Sequence, residues 1–84
     1  ESIGMNLYPN PSRGNLNIRF AKALNSDIDI MILDSNGKII KTSKIPSNTT
    51  ETELDLSGFA SGVYHVISKN SNGDLNRQKI VLID

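Results

Sequence analysis

Apolar and polar positions alternate with a period of two over short stretches of this chain, the spacing that lays one face of a strand on a core. The clearest case is Asn15–Phe20, where Leu16, Ile18 and Phe20 share one face and Asn15, Asn17 and Arg19 the other. Ile28, Ile30 and Ile32 make a second inward face, with Asp29 outside. Thr52, Leu54 and Leu56 oppose Glu51, Glu53 and Asp55 across Thr50–Leu56. Met5–Tyr8 alternates weakly and predicts a short first strand. Ile39–Ile45 predicts another, carrying Lys41 and Ser43 outward if Ile39 and Ile45 face in. Val63–Lys69 is strongly β-forming. The last predicted strand, Leu75–Ile83, ends in Ile80, Val81, Leu82 and Ile83, apolar on both faces. Such a strand is either central, between bulky neighbours, or an exposed apolar ribbon or edge that a partner covers.

Turn signals separate these runs. In Tyr8-Pro9-Asn10-Pro11-Ser12-Arg13-Gly14, two prolines withhold two backbone donors, so the segment cannot lie inside a sheet. Asn10-Pro11 suits the first two positions of a type I turn, and Gly14 can then take a left-handed conformation. Asn25-Ser26 marks a turn, and Asp34-Ser35-Asn36-Gly37 is a strong hairpin signal. Pro46–Thr49 is a polar loop. Ser57-Gly58 and Ser61-Gly62 bracket a short connection that contains Phe59, and Asn70–Asp74 is a hairpin loop with Gly73. Gly62, joining that tight connection to a strand, is expected in a conformation costly for β-branched residues. Seven short strands and no helix follow. The expected fold is a single all-β domain over residues 1–84, a seven-stranded Ig-like antiparallel β-sandwich.

Composition sharpens this picture. Eleven Ile and three Val stand against three Ala and one Gln, a mix that favours pleated surfaces over helix. At 84 residues the chain holds one thin core, and a deep catalytic cleft is hard to fit. Nine basic residues balance nine acidic ones, so the bulk charge offers no nucleic-acid footprint. The chain has no Cys, hence no disulfide, thiolate nucleophile or thiolate metal ligand. The longest apolar run, Ile80–Ile83, is too short to span a bilayer, so no direct membrane insertion is expected.

The candidate chemistry is sparse. His65 is the only His, and no Gly-x-Ser-x-Gly motif accompanies it. Asp34 and Asn36 lack the downstream Glu of a calcium loop, and Asp27 with Asp29 reads as a solvated outer face. Tyr8 and Tyr64 are few for a sugar-stacking platform, and Tyr64 reads as core with its hydroxyl partnered at an edge. No catalytic residue, no metal site and no cofactor are expected.

Four segments, in order, carry a family resemblance. They are Leu7-Tyr8-Pro9-Asn10-Pro11-Ser12-Arg13-Gly14, Leu33-Asp34-Ser35-Asn36-Gly37-Lys38, Leu56-Ser57-Gly58-Phe59-Ala60-Ser61-Gly62-Val63-Tyr64, and Gln78-Lys79-Ile80-Val81-Leu82. Together, from Ile3 to Ile83, they resemble the C-terminal sorting domain of the type IX secretion system of Gram-negative bacteria. Pro9, Asn10, Pro11 and Gly14 match its opening. Asp34, Gly37 and Lys38 match its hairpin, and Gly58, Gly62 and Tyr64 its third element. Lys79, Ile80, Val81 and Leu82 match its close. Phe59 stands where the family usually has Leu, Lys79 stands alone where two basic residues are common, and His65 replaces an aromatic or aliphatic residue.

The resemblance implies a removable sorting signal on a larger secreted cargo, exported through the periplasm to the outer-membrane surface or beyond. Its implied partners are the type IX translocon, shuttle components and a surface sortase, a cysteine peptidase-like enzyme. In this reading a signal peptide lies on the cargo upstream of Glu1 and Asp84 ends the protein. The rival readings are an Ig-like or fibronectin-like spacer and a carbohydrate-binding module of a cell-surface protein.

Overall fold

The computed structural model describes residues 4–83 and forms two antiparallel sheets facing each other across one core. Seven strands follow in chain order: β1 Met5–Tyr8, β2 Asn15–Phe20, β3 Ile28–Leu33, β4 Ile39–Ile45, β5 Glu51–Asp55, β6 Gly62–Lys69 and β7 Leu75–Leu82. One sheet has the order β1-β2-β5, the other β4-β3-β6-β7. The hairpins β1–β2, β3–β4 and β6–β7 stay within a sheet, while β2–β3, β4–β5 and β5–β6 cross between sheets. The Asp84 terminus proposed from sequence lies outside the described residues.

Alternation builds the core. Leu16, Ile18 and Phe20 on β2 and Leu54 on β5 face Ile28, Ile30 and Ile32 on β3, Val66 on β6, and Ile80 and Leu82 on β7. Leu16, Ile18, Ile30, Val66 and Ile80 are fully buried. Each such side chain contributes about 1.5–3 kcal/mol when removed from water. Leu24, from the β2–β3 crossover, and Leu56, from the β5–β6 crossover, close the two ends of this layer.

β4 departs from the sequence reading. Ile45 is buried, but Ile39 is exposed, and Lys41 and Ser43 lie half-buried on the inner side rather than outward. The residues at 39, 41, 43 and 45 have one parity, so an unbroken strand cannot split them between faces. A bulge resolves the conflict. Ile32 pairs with Lys41 while Leu33 pairs with Ile39, which leaves Ile40 as the extra residue, packed against the core.

β7 is also not a central strand: it is the edge of the four-stranded sheet. Ile80 and Leu82 face the core, Val81 is half-buried on the outer face, and Ile83 is exposed. Its inward Gln78 reaches across the open side of the sandwich, donating from Nε2 to the Met5 carbonyl at 2.7 Å.

Candidate recognition site

The strand directions gather the four family-like segments at one end of the sandwich. That pole carries the β1–β2 corner, the β3–β4 turn, the β5–β6 crossover and the final residues of β7. Register fixes this arrangement, because Leu33 near the end of β3 lies beside His65 near the start of β6 and Lys79 late in β7. The opposite pole holds the β2–β3, β4–β5 and β6–β7 connections.

The proline corner is sewn to the last strand. Asn10 donates from Nδ2 to the Lys79 carbonyl at 3.2 Å and accepts at Oδ1 from the Val81 amide at 3.0 Å. Its carboxamide thus does for β7 what a neighbouring backbone would do. Ser12 continues the pairing with true backbone bonds: its amide donates to the Val81 carbonyl and its carbonyl accepts from the Ile83 amide, both at 2.8 Å. The result is a short parallel bridge between Ser12 and Leu82.

The Tyr8–Pro9 and Asn10–Pro11 bonds are both cis. The segment lies outside the seven strands, as its prolines require, and meets the sheet only at the rim, where Ser12, the one residue between Pro11 and Arg13, has both backbone groups available for a single isolated bridge. Lacking amide donors, the prolines flank the pairing without joining it.

Ser12 and Gly14 tie the same corner to the third segment. Ser12 is fully buried; its Oγ donates to the Asn15 carbonyl at 2.7 Å and accepts from the Gly14 amide at 3.1 Å. Gly14 has φ of 129°, and its carbonyl accepts from the Leu56 amide at 2.6 Å. A Cβ there would sit 3.3 Å from the Ser57 Cα, a tight approach to backbone, and the positive φ adds strain for any residue but glycine.

The third segment is a built connection. Asp55 accepts at Oδ1 from the Ser57 amide at 2.9 Å and the Ser57 hydroxyl at 2.6 Å. The Ser57 hydroxyl first, and then its amide, hold the Asp55 carboxyl below its ordinary pKa. Phe59 packs against the core, its ring 6.3 Å from that of Tyr64. Tyr64 is buried, and its hydroxyl donates to the Ala60 carbonyl at 2.6 Å, closing the loop on itself. Gly62 has φ of 153°, disfavoured for any side chain with a Cβ.

The second segment is self-contained. Asp34 Oδ1 accepts from the Asn36 and Lys38 amides, both at 2.9 Å, and Gly37 takes φ of 84°. That Asp34 oxygen is occupied by its own turn. Asp27 likewise accepts from the Ser47 amide at 2.9 Å, and Asp29 pairs with Lys44 at 3.9 Å. Tyr8 lies on the outer face of the three-stranded sheet, its hydroxyl donating to Glu51. That bond, followed by slight desolvation and the Glu51 charge, raises the phenol above its ordinary pKa.

The pole thus brings Pro9–Gly14, Leu56–Tyr64 and Lys79–Leu82 into direct contact, with Asp34–Lys38 alongside at the same end. An open groove of about 570 Å³ runs beside the corner, lined by Pro9, Pro11, Arg13, Ser57, Glu53 and Ile83 among others. Sequence reading did not pair Asn10 with the final strand, 71 positions away from its Val81 partner. It also did not separate the charges by sheet: parity puts Arg77 and Lys79 on one face of the last strand, but which sheet that strand joins is not written in the alternation.

Solved structures confirm the architecture. A DUF3244 family protein with an immunoglobulin-like β-sandwich fold from Bacteroides vulgatus matches with a TM-score of 0.78 at 14% identity, covering 94% of this chain and 83% of that one. CopC from Methylosinus trichosporium matches with a TM-score of 0.58 at 22% identity, covering 94% and 91%. At these identities the likeness is one of fold. No curated protein matches. The family described as the secretion system C-terminal sorting domain matches residues 6–83, a span that contains all four segments gathered at the pole. The chain therefore belongs to the type IX secretion C-terminal sorting domain family.

Proposed function

We propose that this domain is the sorting signal of a larger cargo protein, read by the type IX machinery at the pole where its motifs converge. In this reading the cargo passes through the periplasm and the outer-membrane translocon, assisted by shuttle components. A surface sortase then removes the domain. The domain itself catalyses nothing; it folds, is recognised and is cut away.

The observation that carries this reading is the convergence of the four segments. Segments scattered over 84 residues would serve a stable core from any position. Here they meet at one end, and several of their polar groups are spent on holding one another: Asn10 on β7, Gly14 on Leu56, Asp34 on its own turn. The Pro9–Pro11 corner, which stiffens this end, leaves both rings exposed. A rigid exposed surface can be recognised with little ordering cost.

The test is sufficiency. A periplasmic reporter fused to this domain at its C-terminus is expected on the surface of a bacterium that carries the type IX machinery, and not in a strain lacking the translocon. Equal periplasmic retention of the reporter with and without the domain would sink the reading.

A further inference from the structure

The two outer faces of the sandwich differ in charge, although the whole chain is neutral. On the three-stranded sheet the outward positions include Glu51, Glu53, Asp55 and Arg19, three carboxylates against one cation. On the four-stranded sheet they include Lys44, Lys69, Arg77, Lys79 and Asp29, four cations against one carboxylate. Lys44 pairs with Asp29. Among the described residues, Lys69, Arg77 and Lys79 have no ion-pair partner.

The centre of the basic face is apolar. Register aligns Ile39, Leu33 and His65 in one row, Met31 and Ile67 in the next, and Val63 beside Val81. Ile67 is only 8% exposed, yet it faces away from the sandwich and stands outside the core cluster. Its burial comes from neighbours on the outer face, which therefore holds a small apolar layer of its own. His65 sits in that layer with its Nδ1 buried and unpartnered. An apolar centre with a charged border is the anatomy of a protein-docking surface.

We propose that the outer face of the β4-β3-β6-β7 sheet docks a flat, carboxylate-bordered protein surface of the secretion machinery; this rests on the sorting reading above. Charge complementarity selects an acidic partner, which the unpaired Lys69 and Arg77 would steer and orient. The side chains select protein over membrane. The face carries no Trp, Phe or Tyr, Ile67 and Met31 are recessed among neighbours, and the exposed apolar residues are split between its two ends, Ile39 and Val63 at one and Leu75 at the other, rather than forming one continuous apolar stripe.

The experiment uses the reporter fusion in a bacterium carrying the machinery. Lys69→Gln/Arg77→Gln and Lys69→Glu/Arg77→Glu are compared with wild type, with Arg19→Glu on the opposite face, away from the motif-bearing pole, as control. Thermal unfolding of each purified fusion is measured alongside. The expected order of surface display is wild type, then the Gln pair, then the Glu pair at about one tenth of wild type or less, with melting temperatures unchanged. Arg19→Glu is expected to display as wild type does. Full display of the Glu pair, or an equal loss for Arg19→Glu, would overturn the proposal. So would binding of the purified fusion to phosphatidylglycerol vesicles that the Glu pair abolishes, or self-association that it abolishes. If wild type itself stays in the periplasm, the sorting reading fails and takes this proposal with it; display of wild type with an intact Glu pair fails this proposal alone.

Discussion

Asn10 shows how one side chain can finish a sheet. A β7 edge left bare would present unpaired N–H and C=O groups to any passing strand. The Asn10 carboxamide occupies one of each, at Val81 and Lys79. Asn10→Ala frees both, and because the site is exposed the cost is modest, about 1–2 kcal/mol. The checking measurement is amide hydrogen exchange, in which Val81 is expected to exchange faster while Val66, in the sheet interior, changes only as global stability does. Gly62→Val forces a side chain into φ of 153° and is expected to destabilise by about 1–3 kcal/mol, read from a denaturation curve. Asp55 makes a pH-dependent contribution. Its folded carboxyl titrates below the ordinary 3.8, so its stabilisation is fully present above that value and is lost as pH falls through the folded value. The stability gap between wild type and Asp55→Asn is therefore expected to close as pH drops below 3.8, and a gap that persists in acid would refute the assignment.

At the scale of elements, β7 divides its labour by parity. Ile80 and Leu82 are 0% and 3% exposed, while Val81 and Ile83 lie on the outer side. Ile80→Ala/Leu82→Ala removes two buried side chains, at about 2–5 kcal/mol each, and is expected to unfold so small a domain or bring it close. Val81→Ala/Ile83→Ala is expected to shift the melting temperature far less. What the sequence made legible follows the same logic. Leu16-x-Ile18-x-Phe20 and Ile28-x-Ile30-x-Ile32 are strands because uninterrupted alternation has one physical solution. The faces of β4 are not legible in its alternation, because a bulge breaks parity without any glycine or proline within the strand to announce it. The Asn10–β7 contact was invisible because it is non-local: nothing in Asn10's neighbours specifies a partner 71 residues on. The motifs themselves were legible, but their convergence depends on strand direction and sheet order, which periodicity does not encode.

For the whole molecule, the sandwich separates three tasks by place. The interlayer core supplies stability, one pole assembles the family segments, and the outer face of the four-stranded sheet concentrates unpaired positive charge. The central claim is that recognition resides on the motif-bearing pole and not merely in being folded. It is tested most directly by the surface-labelled fraction of a reporter carrying Val81→Ala/Ile83→Ala, plotted against melting temperature beside wild type and Asn25→Ala/Asn72→Ala at the opposite pole. The account predicts that display falls for the first pair while its melting temperature stays near wild type, and that the second pair displays normally. Display that tracks melting temperature alone across all three proteins would contradict it.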